Sequence, residues 1–106
     1  MSTLLTINTA RYDDGKLVLV AAGEIDLSNI EEFTEALTTA TTEAAGSGQT
    51  FTVDLSAVEY LDSAAISALF TRADHIDLIA HPLLMHVLTV SGLTELVTVT
   101  PGPAGN

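Results

Sequence analysis

The sequence predicts an α/β domain: a small mixed sheet of about five strands with helices packed on it. Short apolar or alternating segments interleave with segments whose apolar residues recur at helical spacing, in the order β-β-α-β-α-β-α-β. Helices that follow strands must cross back over one sheet face, so the sheet is expected to be mixed, with the helices packed on it. The length, 106 residues with 47% hydrophobic content, suits one domain with one modest core. Residues 1–100 read as that domain and residues 101–106, rich in Pro and Gly, as a flexible tail.

Each element has a local reason. Leu4 to Thr9 alternates and reads as a first strand; Asp13-Asp14-Gly15 is a turn signal; Lys16 to Ala22 is a largely apolar second strand, so the pair suggests a hairpin. Gly23-Glu24-Ile25-Asp26 is expected to break that strand. Ser28 stands three residues before Glu31, the spacing of a capping box. Ile30, Phe33, Ala36, Leu37, Ala40 and Ala44 then form a helical stripe, with Glu31, Glu32 and Glu35 placed where the helix dipole favours acids. Thr38, Thr39, Thr41 and Thr42 weaken its second half, and Gly46-Ser47-Gly48 ends it.

Thr50 to Leu55 reads as a buried strand, and Ala57 to Leu61 leads into a second helix at Asp62-Ser63. Ile66, Leu69, Phe70 and Ala73 are its expected buried stripe. Ile76 to Ala80 is a fourth strand; Pro82 opens a third helix with Leu84, Val87 and Leu88 facing the core. Gly92 is placed as a left-handed residue after a helix end, and Leu96 to Val99 is a last short strand.

Charge excludes several functions. Three Lys and Arg stand against fourteen Asp and Glu, a net charge of −11. No basic patch exists to displace phosphate counterions, which excludes nucleic-acid binding and argues against docking on anionic lipid. A protein with a basic face is the partner such a charge favours. With no Cys there is no thiolate chemistry. The N-terminus lacks the basic region and apolar run of a signal peptide, and no segment is fit to span a membrane, so the expectation is a soluble cytoplasmic protein.

Enzyme motifs are wanting. Ser63 lacks a Gly-x-Ser-x-Gly elbow and a placed base; His75, His81 and His86 lack metal-ligand spacing; no Gly-rich phosphate loop is present. The chain reads as a binding module rather than an enzyme, with no cofactor. Asp62-Ser63 is the informative pair. One reading is a helix cap, in which Asp or Ser supplies an oxygen to the next turn's free N–H groups. The other is an exposed, modifiable serine, because a helix N-terminus accommodates a phosphate. Asp26 falls at the same sheet edge as Ser63 if the strands before both loops are parallel neighbours.

Gly23-Glu24-Ile25-Asp26, Val53-Asp54-Leu55-Ser56, Leu61-Asp62-Ser63-Ala64-Ala65-Ile66 and Leu88-Thr89-Val90-Ser91-Gly92-Leu93, in this order, resemble the STAS domain, specifically bacterial anti-sigma-factor antagonists. The resemblance covers about residues 4 to 99 and implies a small mixed sheet flanked by helices. It implies binding to an anti-sigma factor that is a serine kinase of histidine-kinase-like fold. Phosphorylation of Ser63 would end the binding, and a metal-dependent serine phosphatase would restore it. Asp26, Asn29, Asp62, Ser63 and Ala64 correspond to the partner-binding edge. Two departures stand out: Ala65 occupies a position where the family often has Gly, adding a methyl group where a kinase approaches, and the second helix is about two turns short. A second function within the same resemblance is a STAS subunit that braces the ATPase of a lipid-exporting ABC transporter, with no phosphoryl switch.

Overall fold

The computed structural model describes residues 4–46 and 50–102. The strands are β1 (Leu5–Arg11), β2 (Leu17–Ile25), β3 (Phe51–Leu61), β4 (Ile76–Ala80) and β5 (Val99–Pro101). The helices are α1 (Ile30–Ala45), α2 (Ser63–Thr71) and α3 (Met85–Val90), with 3₁₀ turns at Ala73–His75, Pro82–Leu84 and Leu93–Glu95. The five strands form one sheet in chain order; β1 and β2 are antiparallel and every other neighbour pair is parallel. The predicted mixed α/β order is the observed one.

A sheet whose parallel strands always step in the same direction, joined by right-handed crossovers, receives all its helices on one face. The core follows that geometry. Leu19, Val53 and Leu78 are register partners across three strands, and all three are buried in one cluster with Phe33 and Leu37 of α1, Leu69 of α2 and Leu88 of α3. The alternate row, Val20, Asp54 and Ile79, points to the other face and is only half-buried.

The turn at Asp13-Asp14-Gly15 closes the β1–β2 hairpin, with Gly15 at φ +87° and the Gly15 amide donating to the Tyr12 carbonyl at 2.8 Å. In α1 the stripe of Phe33, Leu37, Ala40 and Ala44 is buried, with Ile30 and Ala36 packed beside it. The threonines do not shorten α1. The hydroxyls of Thr38, Thr41 and Thr42 donate to the carbonyls one turn back at 3.0, 2.7 and 3.1 Å, so their polar groups are satisfied without leaving the helix. α1 ends at Gly46 as expected, while Ser47 and Gly48 lie outside the described residues.

Several boundaries differ from the sequence reading. β2 does not break at Gly23 but runs on to Ile25, because it is flanked by β1 and β3 on both sides. Gly23 has φ +111°, and a Cβ there would run into the Leu4 carbonyl oxygen. The glycine therefore permits a close strand approach rather than ending the strand.

β3 likewise runs through Ala57 to Leu61. Its partners shift by one residue between Val20↔Asp54 and Ala22↔Ala57, and again between Gly23↔Val58 and Glu24↔Tyr60, so β3 carries two extra residues against β2. At the first shift Asp54 Oδ1 accepts both the Ser56 amide (2.9 Å) and the Ser56 hydroxyl (2.6 Å), replacing ladder bonds that the bulge removes.

In α2 the fully buried residues are Ala65 and Leu69; Ile66 and Phe70 are half-buried, and Ala73 has left the helix for a 3₁₀ turn. Ala65 and Leu69, spaced i, i+4, lie on the one face of α2 that enters the core cluster. β4 has its predicted limits. Pro82 opens a 3₁₀ turn before α3 rather than the α-helix itself, and His81 Nδ1 caps that turn by accepting the Leu83 amide at 3.0 Å. Leu84 and Leu88 are buried and Val87 is half-buried. Gly92 is left-handed at φ +89°.

The last strand is Val99–Pro101, not Leu96 to Val99. Leu93 and Val97 are buried one turn apart, the Val97 amide donating to the Leu93 carbonyl at 3.0 Å, while Leu96 is exposed. That spacing is helical, so the strand starts later. Pro101 and Gly102 consequently belong to the sheet edge rather than to a tail: the Gly102 amide donates to the Ala80 carbonyl at 2.7 Å, and Gly102 is buried. Residues 103–106 lie outside the described residues.

Candidate functional site

The site is built where β2 and β3 end. Ile25 and Leu61 are parallel register partners and the last residues of their strands, so Asp26 and Asp62 open two adjacent loops. The Asp62 amide donates to the Ile25 carbonyl at 3.1 Å and extends the ladder by one bond into the loops.

Asp62 is the cap of α2. Its backbone is extended (φ −91°, ψ −178°), its Oδ1 accepts the Ala65 amide at 3.1 Å, and its carbonyl accepts the Ile66 amide at 3.1 Å. Of the two capping candidates, Asp62 takes the role, which leaves Ser63 at the first helical position. Ser63 is exposed, and its hydroxyl makes no hydrogen bond among the described residues. Ala64 beside it is half-buried. Ala65 is fully buried, with its methyl group in the core cluster. The expectation that this methyl meets an approaching kinase is therefore wrong: the Cβ points inward, because the position one turn after the cap lies on the face that α2 turns to β3.

The Asp26 loop is held from within. Asp26 Oδ1 accepts the Ser28 amide at 2.9 Å and the Ser28 hydroxyl at 2.6 Å, the same two bonds that Asp54 makes to Ser56. Both stretches read Asp-Leu-Ser in the sequence. Ser28 is thus engaged by Asp26 and does not form the expected capping box with Glu31; Asn29 is the residue before the helix. The Asn29 side chain turns back instead of capping. Its Nδ2 donates to the Glu24 carbonyl at 2.9 Å and its Oδ1 accepts the Asp26 amide at 3.0 Å. At 8% exposure Asn29 is buried, so it fixes the loop that carries Asp26 and offers little surface of its own.

Leu27, between Asp26 and Ser28, is 76% exposed. Sequence reading passed over it, and its signal was an apolar residue inside a polar turn. At the site end, Glu24, Asp26, Glu59 and Asp62 all stand in the last residues of β2 and β3 or immediately after them. The three cations stand elsewhere. Arg11 ends β1 against Leu17, Lys16 precedes β2, and Arg72 caps the far end of α2, all at the opposite end of the sheet. Each is engaged there: Arg11 lies 3.7 Å from Glu43, Lys16 bonds Asp77 at 2.7 Å, and Arg72 donates to the Thr38 hydroxyl at 2.8 Å. Those cations stand among Asp13, Asp14, Glu43, Asp74 and Asp77, so both ends carry acids, and the Ser63 end is the one that holds no Lys or Arg.

Among the described residues no group of three His, Asp or Glu is placed to hold a metal ion, and no helix is long and apolar enough to cross a membrane.

The chain is thus a small mixed sheet with one helical layer, ending in paired loops that present an aspartate and an exposed serine at a helix start. The family model described as "Mlab, STAS domain" matches residues 8–98, and the chain belongs to the STAS domain family. No curated protein matches the sequence. Among solved structures the fold is similar to an anti-sigma factor antagonist from Mycobacterium paratuberculosis, with TM-score 0.82 and 23% identity over 96% of this chain and 92% of that one. It is also similar to the anti-sigma factor antagonist SpoIIAA in its unphosphorylated form, with TM-score 0.70 and 17% identity over 92% of this chain and 89% of that one.

Proposed function

We propose that this chain is an anti-sigma-factor antagonist that binds a kinase-type anti-sigma factor through the edge formed by the Asp26 and Asp62 loops. Phosphorylation of Ser63 by that kinase ends the binding, and a serine phosphatase restores it. The observation that carries the reading is the position of Ser63: first in α2, exposed, and with a hydroxyl that makes no hydrogen bond among the described residues. Its neighbours Asp62 and Asp26 are held in place by the Ile25–Asp62 bond and by Asn29. The similarity of the fold to two anti-sigma factor antagonists supports it further.

The chemistry is consistent. The free N–H groups of the first turn of α2 stabilise an added phosphate, so the modified domain stays folded. No Lys or Arg at that end neutralises the phosphate, so the charge is presented outward. Incubation with its cognate kinase and ATP is expected to add one phosphate, located at Ser63 by mass spectrometry. Phosphate found only at Ser28, Ser56 or a threonine would overturn the assignment.

The family description, Mlab, favours a second reading: a STAS subunit that braces the ATPase of a lipid-exporting ABC transporter without a phosphoryl switch. Capture of partners from lysate separates the two, since one yields a kinase-like anti-sigma factor and the other a transporter ATPase.

A further inference from the structure

We propose a second interaction surface, on the flank of the domain away from Ser63: the free edge of β1 together with the groove between β1 and α1 accepts an extended basic segment of a partner protein as a sixth strand. In the hairpin the Tyr12 amide donates to the Lys16 carbonyl, and the Glu24 amide donates to the Leu4 carbonyl. Alternation along an antiparallel pair then commits the even-numbered residues of β1 to β2 and turns the N–H and C=O groups of Leu5, Ile7, Thr9 and Arg11 toward the open edge. Among the described residues little on β1 blunts that edge: it holds no Pro and no bulge, and its one charge, Arg11, stands at its last residue, 3.7 Å from Glu43 of α1.

The side chains of the same odd-numbered residues lie on the helix side, where Leu5 and Ile7 pack against the core. There a groove of about 600 Å³ opens beside the edge, with Ile7, Leu19 and Ala36 among its apolar lining and Glu32 and Glu35 on its α1 wall. Both glutamates are exposed. An added strand would send every second side chain into this groove. Arg or Lys at those positions lays its apolar stem along Ile7 and Ala36 and brings its charge to Glu32 and Glu35.

Charge selects this occupant over a second copy of the chain. Each copy carries −11, and pairing two β1 edges would bring their α1 glutamates together. The surface does not depend on the role of Ser63, because α2 lies on the other side of α1, tied to it by Arg72 and Thr38.

The test uses the full chain and a synthetic peptide of about seven residues that alternates arginine with valine, a typical strand length. Saturable binding is expected by fluorescence anisotropy, with hydrogen-exchange protection gained at the amides of Leu5, Ile7, Thr9 and Arg11. The same peptide with glutamate for arginine should not bind. Thr9→Pro removes an outward-facing donor while sparing the β1–β2 bonds, and Glu32→Lys with Glu35→Lys reverses the wall. Each is expected to weaken binding at least about tenfold with little change in melting temperature. No saturable binding, or binding indifferent to Thr9→Pro, overturns the proposal. Self-association of the wild-type chain that Thr9→Pro abolishes would overturn it in favour of a second copy.

Discussion

The Asp62 amide reaches the Ile25 carbonyl at 3.1 Å, one residue beyond the end of the paired strands. Through that bond the start of α2 is fixed relative to the Asp26 loop, although Asp62 lies 36 positions after Asp26 in the sequence. The geometry of the serine-bearing turn is therefore set by two strand ends rather than by the helix alone.

Asp62 serves two roles that substitution can separate. Asp62→Ala removes the side-chain acceptor for the Ala65 amide and is expected to lower stability by about 1 kcal/mol. Asp62→Asn keeps an acceptor and removes a charge from the edge, so it should leave the unfolding midpoint almost unchanged. Urea denaturation of both variants checks the cap; partner affinity of Asp62→Asn alone then reports the charge.

Asn29 is expected to be the more sensitive position. Asn29→Ala removes the side-chain bonds to the Glu24 carbonyl and the Asp26 amide in a part-buried setting, at a cost of about 1–3 kcal/mol. Because the loss falls on the loop, hydrogen exchange should speed up at Asp26 to Ser28 more than in β4. Uniform loosening of the whole domain would contradict a local bracing role.

Gly23→Ala should be costly out of proportion to one methyl group. The position has φ +111°, and its Cβ would meet the Leu4 carbonyl oxygen. Strain of about 1–3 kcal/mol is expected, together with loosening of the β1 start. Calorimetry gives the size, and the amide signals of Leu5 and Glu24 show the place. By contrast Gly15→Ala, at φ +87° but with open space around it, should cost less.

Phosphorylation of Ser63 would add roughly −1.5 to −2 charges to the end of the molecule that holds no Lys or Arg. Melting temperature should stay nearly constant, while affinity for the anti-sigma factor falls about a hundredfold, since each 1.4 kcal/mol of lost interaction is tenfold. Ser63→Asp should reproduce part of the loss, and Ser63→Ala should bind without being switched. A modified form that melts far earlier would mean that the switch unfolds the domain. Unchanged affinity would leave Ser63 with a capping-turn role only and would favour the transporter reading.

The element order, the hairpin and the identity of the capping pair were legible in the sequence because each rests on local chemistry. Asp13-Asp14-Gly15 can make its turn wherever it is placed, and the α1 stripe has the helical period regardless of what it packs against. The limits of β4 were legible for a related reason: Ile76, Leu78 and Ala80 alternate between sharp boundaries, the preceding turn and His81-Pro82. The readings that failed concern residues whose role is set by a neighbour distant in sequence. Gly23 looks like a strand breaker by itself and becomes a strand residue because Leu4 packs against it. Ser28 has capping-box spacing, yet Asp26 holds its hydroxyl first.

The sequence by itself determined the alternation of strands and helices, the acidic charge, and the presence of an aspartate and a serine at a helix start, since all of these follow from residue type and spacing. Only the tertiary structure decided that β2 and β3 are parallel partners in register at Ile25 and Leu61, which joins Asp26 to Asp62 and Ser63 in one edge. It alone decided that the three cations gather at the far end, and that the Ala65 methyl faces the core. Each of these depends on strand pairing and helix rotation, which are fixed by burial of the whole core at once and by no single stretch of chain.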